Sequence, residues 1–327
     1  MNKIDIIIPV YKATETLPQA LASIAIQSVL KDIRVTIVVD GDGLYGEYDS
    51  ITEKFEKYID VDVIPLINNH GVGYARQYGI GFTSNPYIMF LDADDTFAGA
   101  YAVEMLRNKL ESDANNVVAI GMFFEKRRDM SFVKHDNDTV WVHGKIYKRS
   151  YLDKYDIRFM NSSANEDAGF NAKVRLLETP DEHIVFLPNL VYYWQWNESG
   201  ITRVNNSDYT YNASYIGYVE NMIDAINHAK KYLPNDDYIG SFAISCLAQI
   251  YMYYARGIHF RPDLREQMET YAKKYYNEII VKYEIHKNFE KEIFDNIVSQ
   301  IILEQYPNIV GFTISITFDD FEKILLT

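Results

Sequence analysis

The first ninety residues alternate short apolar runs with amphipathic stretches. Four apolar runs rich in β-branched side chains are predicted strands: residues 4–10, 34–39, 61–67 and 87–91. Three stretches with apolar residues at helical spacing are predicted helices: residues 16–30, 51–59 and 73–83. This β-α-β-α-β-α-β order predicts an α/β fold, with a mostly parallel sheet, right-handed crossovers and helices on both faces.

The pattern changes along the rest of the chain. Residues 117–124 and 184–194 are further predicted strands, and residues 141–155 connect them. Beyond residue 205 the apolar spacing is mainly helical, over residues 215–232, 238–254, 264–282 and 289–305, before a last strand pattern at 310–318. We therefore expect an α/β domain over residues 1–204 and a mainly helical C-terminal region over residues 205–327.

Composition narrows the class of protein. Among 327 residues, 48% are hydrophobic, which is typical of a globular chain. The 32 basic and 46 acidic residues give a net charge of −14, which argues against a nucleic-acid partner. The single cysteine, Cys246, cannot form an internal disulfide, and no apolar run approaches the ~20 residues of a membrane span. We expect a soluble cytoplasmic protein and leave open a peripheral position at the inner membrane face.

Acidic residues follow two of the predicted strands. Asp92, Asp94 and Asp95 lie directly behind the apolar run 87–91, and Asp40 and Asp42 follow the second strand. In open α/β sheets, ligands bind beyond the carboxyl ends of the strands. We therefore expect the two acidic strand ends to converge on one crevice.

The Asp92-Ala93-Asp94 spacing has two interpretations. Aspartate is common in solvated turns, so the cluster could be a strand end exposed to water. Alternatively, two hard oxygen ligands at a strand end could hold Mg²⁺ or Mn²⁺ and leave coordination positions open for substrate phosphates. In that case Asp95 could be a second ligand, but its expected role is that of a hydrogen-bonding support or a helix cap.

Seven stretches, in order, resemble segments of the family 2 glycosyltransferases, which are inverting enzymes of the nucleotide-diphospho-sugar (GT-A) fold. They are IIIPVY at 6–11, VVDGDG at 38–43, NHGVGYARQYG at 69–79, FLDADD at 90–95, HGKIYKR at 143–149, NEDAGF at 165–170, and YYWQ at 192–195 with SGIT at 199–202. The resemblance covers residues 4–203 and does not extend into the helical region.

The resemblance implies metal-dependent transfer of a sugar from a nucleotide-diphosphate donor to an acceptor hydroxyl, in polysaccharide or other glycoconjugate synthesis. The nucleotide is expected to be UDP, by its frequency in the family, and the cofactor Mn²⁺ or Mg²⁺. Asp167 would be the catalytic base, and Asp94 with Asp92 the metal ligands. The residues expected to bind the nucleotide-sugar are Pro9, Val10, Tyr11, Asp40, Asp42, Arg76, Asp92, Ala93, Lys145 and Glu166.

The chain departs from the family pattern at two positions. Gly41 stands where the family often has a second aspartate, which leaves open whether Asp40 or Asp42 contacts the nucleotide. Gln195 stands where a basic residue is common, which puts a diphosphate contact from that position in doubt.

Several candidate residues also have purely structural interpretations. Arg76 could form a surface salt bridge, and Lys145 could be solvated. Glu166 and Asp167 could favour a helix N-terminus for dipole reasons, which is compatible with catalysis. The histidines lack metal-ligand spacing and are interpreted as ordinary polar residues: His70, His143 and His183.

Two other functions compete with sugar transfer. A nucleotidyltransferase would be expected to carry a Gly-rich basic loop after the first strand, but residues 9–14 contain no glycine. A catalytically inactive sugar-binding protein is disfavoured by the intact Asp92, Asp94 and Asp167. The acceptor stays open among polysaccharide, teichoic acid, lipid-linked sugar, protein and modified nucleobase. For residues 205–327 we expect acceptor binding, packing or oligomerisation, with peripheral membrane or self-association contacts as further roles.

Overall fold

The computed structural model describes residues 3–162, 164–198, 200, 207–288, 291–305, 314 and 316–327. The chain divides into two compact units. The N-terminal unit comprises Met1–Asn161 and Glu178–Glu198, and the helical unit comprises Ser162–Leu177 and Ser199–Thr327. The boundary predicted between residues 204 and 205 lies outside the described residues and stays a prediction.

A mixed sheet organises the N-terminal unit. Its strands among the described residues are β1 (Ile4–Val10), β2 (Ile33–Asp40), β3 (Asp60–Leu66), β4 (Tyr87–Phe90), β5 (Thr96–Phe97), β6 (Asn116–Lys126), β7 (Phe132–His135), β8 (Lys145–Lys148) and β9 (His183–Trp194). The order is β3-β2-β1-β4-β8-β6-β9-β5, with β7 paired to β6. The first four strands of this order are mutually parallel, as are β6 and β9, whereas β8 is antiparallel to both β4 and β6. The predicted α/β class with a mostly parallel sheet is confirmed.

Helices cover both faces of this sheet. They are α1 (Leu17–Ala25), α2 (Tyr45–Thr52), α3 (Val72–Phe82), α4 (Ala102–Glu111) and α5 (Arg149–Lys154). Alternate residues of β1, such as Ile6 and Ile8, pack in one buried cluster with side chains of α1 and α4. Ile7 points to the other face, where a Cβ on Gly79 of α3 would lie only 2.5 Å from its Cγ2. The glycine therefore lets α3 pack closely against β1.

Two predicted helices have different bounds in the structure. The helix predicted over residues 16–30 ends at Ala25, because Ser28 donates its backbone N–H to Ala100 O at 2.7 Å instead of continuing the helix. The helix predicted over residues 51–59 covers Tyr45–Thr52 instead, with turns after it. Asp42 accepts a hydrogen bond from Leu44 N at 2.9 Å, which favours an earlier start.

Residues 141–155 are more than a connection between strands. They contain β8, which lies between β4 and β6 in the sheet, followed by α5. A four-residue strand has too short an apolar pattern to be distinguished from a loop in the sequence. Its position carries the stretch Gly144-Lys145 into the centre of the sheet.

A buried ion pair ties the sheet to its connections. Asp5 on β1 is 0% exposed and accepts hydrogen bonds from Asn85 N and Nδ2, and from Arg149 Nη2 at 3.0 Å. Arg149 also donates to the carbonyls of Asn85 and Ile80 and to Thr83 Oγ1. Because one guanidinium satisfies four acceptors, it fixes the end of α3 and the entry to β4 against β1.

The helical unit consists mainly of α6 (Glu166–Leu176), α7 (Ser214–Tyr232), α8 (Asp237–Phe260), α9 (Arg265–Tyr275), α10 (Lys291–Gln305) and α11 (Phe318–Leu326). π-helical turns at Tyr209–Ala213 and Tyr276–Val281 accompany them. Of the strand predicted at 310–318, residues 310–313 and 315 lie outside the described residues. Phe318 begins a helix, because Thr317 caps it by accepting from Asp320 N. None of the helices in the described part of the chain is both long and apolar enough to cross a bilayer.

Replacing Arg149 by methionine tests the buried ion pair. We expect Arg149→Met to lower the free energy of unfolding by about 3–5 kcal/mol, because Asp5 loses its counter-charge while buried. The matched control is Arg34→Met, which breaks a pair with Asp62 whose side chains are 34% and 38% exposed. That change should cost at most about 1 kcal/mol. Urea unfolding measures both, and equal losses would contradict the role given to Arg149.

Candidate active site

The carboxylates at the end of β2 organise the loops around it. Asp40 is 3% exposed and accepts from the backbone N–H groups of His70 and Gly71, each at 2.8 Å. Asp42 accepts from Lys12 N at 2.7 Å and from Tyr48 Oη at 2.6 Å. Partial burial would raise the pKa of Asp42, but these hydrogen bonds hold it below its ordinary value. Both carboxylates therefore fix the loops that follow β1 and β3.

The geometry explains why glycine occupies position 41. Gly41 has a φ of +66°, and a Cβ there would lie 2.1 Å from the carbonyl carbon of Asn68. An aspartate would clash with this backbone and adopt a disfavoured conformation. The departure from the family pattern at this position therefore has a steric cause. Asp40 and Asp42, on either side of Gly41, form the hydrogen bonds to the loops.

Asp92 is paired with Arg76 beyond the end of β4. Arg76, on α3, is 3% exposed, and its Nη2 lies 2.6 Å from Asp92 Oδ1. Burial would raise the pKa of Asp92, but the charge of Arg76, joined in acid by that of protonated His143, holds it below its ordinary value. The Phe159 ring, 5.8 Å from the guanidinium carbon, covers the arginine. Arg76 thus neutralises part of the acidic strand end from a buried position rather than forming a surface salt bridge.

Asp94 is partly exposed, in contrast to Asp95. Asp94 accepts a hydrogen bond from Asn197 Nδ2 at 2.9 Å. Asp95 is 1% exposed and accepts from Tyr192 Oη at 2.7 Å and from Gln195 N at 2.8 Å. Burial, together with the charges of Asp94 and Asp92, raises the pKa of Asp95 well above its ordinary value. Gln195 thereby holds the turn through its backbone.

His143, which the sequence suggested was an ordinary polar residue, is instead buried beside the acidic strand end. It is 4% exposed and packs between aromatic rings, with centroids 4.9 Å from Tyr192, 5.1 Å from Trp194 and 5.4 Å from Phe123. Its Nδ1 lies 3.9 Å from Asp95 Oδ2 and has no hydrogen-bond partner among the described residues. Burial lowers the pKa of His143 to about 4, so the ring is neutral near pH 7. No spacing in the sequence predicts that His143 lies close to Asp95, because the pairing of β8 with β4 brings the two residues together.

The acidic strand end has the donor atoms for a divalent cation. Ligand atoms of Asp92, Asp95 and His143 lie within 4.8 Å of one another, a group found among the described residues. Asp95 and His143 are nearly inaccessible, however, whereas Asp92 and Asp94 are partly exposed. A cation shared with a substrate needs open coordination positions. The hard, accessible oxygens of Asp92 and Asp94 therefore fit Mn²⁺ or Mg²⁺ better than the buried pair does.

The remaining predicted nucleotide contacts of this unit differ in accessibility. Val10 and Ala93 are buried, and Pro9 lies within the buried strand β1. Tyr11, directly after β1, is 47% exposed, and its ring centroid lies 5.0 Å from Lys12 Nζ. Lys145 is 1% exposed, and its ammonium group donates to the Trp141 carbonyl and lies 3.4 Å from Asp138 Oδ1. The ammonium group of Lys145 therefore contacts other protein groups, and the interpretation of Lys145 as a solvated side chain is wrong.

Glu166 and Asp167 begin helix α6 of the helical unit. Each is 7% exposed, and Asp167 Oδ1 accepts from Ala168 N at 2.8 Å. The preceding Asn165 has a φ of +60° and donates from Nδ2 to the Ser214 carbonyl at 2.8 Å. This bond attaches the start of α6 to the start of α7, so the position of the two carboxylates is defined by the packing of this unit.

The structure brings together the predicted residues of each unit separately. In the N-terminal unit, Arg76 contacts Asp92 at the end of β4, and Asp40 and Asp42 bind loops at the end of β2. Glu166 and Asp167 form a second acidic group, in the helical unit. Of the SGIT stretch, Ser199, Ile201 and Thr202 lie outside the described residues.

Comparison with protein families and curated proteins identifies relatives. The model of "Glycosyl transferase family 2" matches residues 5–165. Glycosyltransferase GlyA of Streptococcus pneumoniae is 26% identical over 62% of this chain and 32% of its own length. The poly(ribitol-phosphate) beta-glucosyltransferase of Bacillus spizizenii is 29% identical, over 53% of this chain and 30% of its own. The teichoic acid poly(glycerol phosphate) polymerase of Staphylococcus epidermidis is 30% identical, over 60% and 25%. The matched part is thus about a third or less of each relative.

Solved structures support the fold. S. aureus TarS 1-349 in complex with UDP-GlcNAc superposes with a TM-score of 0.67 at 16% identity, covering 94% of this chain and 93% of that one. The mannosyltransferase PcManGT from Pyrobaculum calidifontis, in complex with GDP-Man and Mn²⁺, gives a TM-score of 0.51 at 12% identity, covering 93% and 88%. The TarS match confirms the GT-A fold expected from the motifs. The family match over residues 5–165 identifies this stretch of the chain as a glycosyl transferase family 2 domain.

Proposed function

We propose that this protein is a metal-dependent, inverting glycosyltransferase that moves a sugar from a nucleotide-diphosphate donor to an acceptor hydroxyl. The observation that carries the proposal is the end of β4, where Asp92 and Asp94 are partly exposed and the buried Arg76 holds Asp92. Family membership favours sugar transfer over nucleotidyl transfer and over an inactive sugar-binding protein. Residues 1–204 would form the transferase domain, and residues 205–327 would serve acceptor binding, packing or oligomerisation.

The relatives guide the choice of substrates. A structural neighbour binds UDP-GlcNAc, which supports a UDP-sugar as donor here. Two relatives are named for poly(ribitol phosphate) and poly(glycerol phosphate), which supports an acceptor polymer of polyols joined by phosphodiesters. Tyr11, exposed at the end of β1, would contact the nucleotide, as would the partly exposed Asp42. Asp40 and Arg76, each 3% exposed, would support the site from beneath it.

The chemistry needs a base, a stabilised leaving group and an ordered acceptor. Asp92 and Asp94 would hold Mn²⁺ or Mg²⁺, which when bound neutralises charge developing on the leaving diphosphate. Asp167 would accept the proton of the acceptor hydroxyl. At the same time the hydroxyl oxygen would bond to the anomeric carbon of the donor sugar, and the bond between that carbon and the diphosphate would break. Because the proton leaves only as the new bond forms, position within hydrogen-bond reach matters more than a raised pKa.

The first prediction concerns the base. We expect Asp167→Asn to lower kcat by about 10²–10⁴-fold, because the amide cannot accept the proton. The dissociation constant for UDP, measured by calorimetry, should stay unchanged. The matched control is Asp237→Asn, at the exposed first position of α8, which should keep normal turnover. Near-normal turnover in Asp167→Asn would remove the proposed role.

The second prediction concerns the metal ligands. We expect Asp94→Asn to weaken Mn²⁺ binding in the presence of UDP by about tenfold or more, which corresponds to about 1.4 kcal/mol. His143→Gln should change it little, because the ring is buried behind the accessible carboxylates. Electron paramagnetic resonance of free Mn²⁺ measures both variants, after circular dichroism has shown that they are folded. If His143→Gln lost as much affinity as Asp94→Asn, the cation would instead be bound by the group of Asp92, Asp95 and His143.

A further inference from the structure

The helical unit contains a pocket of about 200 Å³ that no sequence motif indicates. Its walls include four tyrosines, a serine and an arginine: Tyr209, Tyr211, Ser214, Tyr215, Tyr253 and Arg256. The π-helical turn Tyr209–Ala213 and the start of α7 form one wall, and α8 supplies Tyr253 and Arg256. Pockets for drug-sized ligands measure roughly 300–1,000 Å³. This pocket is therefore suited to one small repeating unit of a larger molecule.

Neighbouring contacts fix the walls of the pocket. The ring of Tyr211 stacks on Phe260 with a centroid distance of 5.5 Å. The guanidinium carbon of Arg256 lies 5.3 Å from the centroid of the Tyr211 ring, and Tyr215 Oη donates to the Met268 carbonyl at 2.9 Å. A guanidinium placed against an aromatic face is held in orientation and still presents N–H donors. The pocket thus combines a fixed cation with aromatic surface.

The pocket adjoins the acidic start of α6. Ser214 of the pocket wall accepts two hydrogen bonds from Asn165 Nδ2, at its carbonyl (2.8 Å) and at Oγ (3.3 Å), and Asn165 directly precedes Glu166. Burial, with the charges of Glu166 and Asp167, raises the pKa of Tyr209 to about 12. These observations show that the pocket and the proposed base belong to one neighbourhood within the helical unit.

We propose that this pocket is an acceptor subsite that binds one phosphodiester-linked polyol unit of an anionic polymer. Arg256 would bind a phosphate oxygen, because a guanidinium matches phosphate geometry and charge. The tyrosine rings and hydroxyls would contact the polyol at little conformational cost. The nearby Glu166 and Asp167 repel phosphate, so the phosphate lies toward Arg256 and a polyol hydroxyl toward Asp167. In a chain of net charge −14, a pocket cation offsets the repulsion that an anionic acceptor meets.

The test measures acceptor binding apart from catalysis, because the inference rests on the proposed function. A short synthetic poly(ribitol phosphate) is titrated calorimetrically into the full chain, with free ribitol as the neutral probe. Arg256→Gln should weaken oligomer binding about tenfold and reduce its salt dependence, while ribitol binding stays as weak as in the wild type. The matched control, Arg265→Gln, removes an arginine whose side chain is 53% exposed and should leave binding unchanged.

Kinetics distinguish this subsite from the donor site. Arg256→Gln should raise the acceptor KM about tenfold, with the donor KM and Mn²⁺-dependent hydrolysis of UDP-GlcNAc unchanged. Arg256→Lys keeps the charge and should restore part of the affinity, which separates loss of phosphate binding from misfolding. Circular dichroism and thermal unfolding check each variant.

Three results would overturn the inference. In the first, Arg256→Gln binds the oligomer as tightly as the wild type does. In the second, the wild type does not bind the oligomer. In the third, the wild type binds anionic phospholipid vesicles instead of the oligomer. Failure of the proposed function is recognised separately, as absence of Mn²⁺-dependent UDP-GlcNAc hydrolysis and of UDP binding in the wild type.

Discussion

The ion pair between Arg76 and Asp92 is the contact on which the acidic site depends. Three carboxylates follow β4 within four residues, and like charges at this spacing raise one another's pKa. Arg76 supplies a positive charge from the buried side of the site, so Asp92 stays ionised without any bound ligand. Asp92 and Asp94 are partly exposed on the other side, which is where the proposed cation and diphosphate would bind.

Other acidic residues around this site hold the backbone in place. Asp95 is enclosed by Tyr192 and Gln195 and fixes the turn, and Asp40 and Asp42 hold the loops beyond β1 and β3. A rigid scaffold of this kind keeps the exposed carboxylates in position before substrate arrives. In the helical unit, α7 fixes the start of α6 and also forms part of a tyrosine-lined pocket. A general base and an acceptor subsite would therefore be positioned by one helix.

The sequence predicted the features that depend on neighbouring residues. The first four strands and the acids behind β2 and β4 follow from local apolar patterns and from family motifs. Features created by contacts between distant residues were not predictable. His143 approaches Asp95 only because β8 lies antiparallel beside β4, and α1 ends early because Ser28 bonds to Ala100. Gly41 replaces an aspartate of the family pattern for a reason that only the fold reveals, because the Asn68 backbone occupies the space that a Cβ would need.

A crystal structure of the chain grown with UDP and Mn²⁺ would test the central claim most directly. Anomalous scattering locates manganese independently of how the protein is built. The account predicts one manganese peak at the end of β4, within about 2.0–2.6 Å of oxygens of Asp94 and Asp92 and of the UDP diphosphate. Ordered UDP whose diphosphate is bound without manganese would contradict this prediction. A manganese peak between Asp95 and His143 would also contradict it.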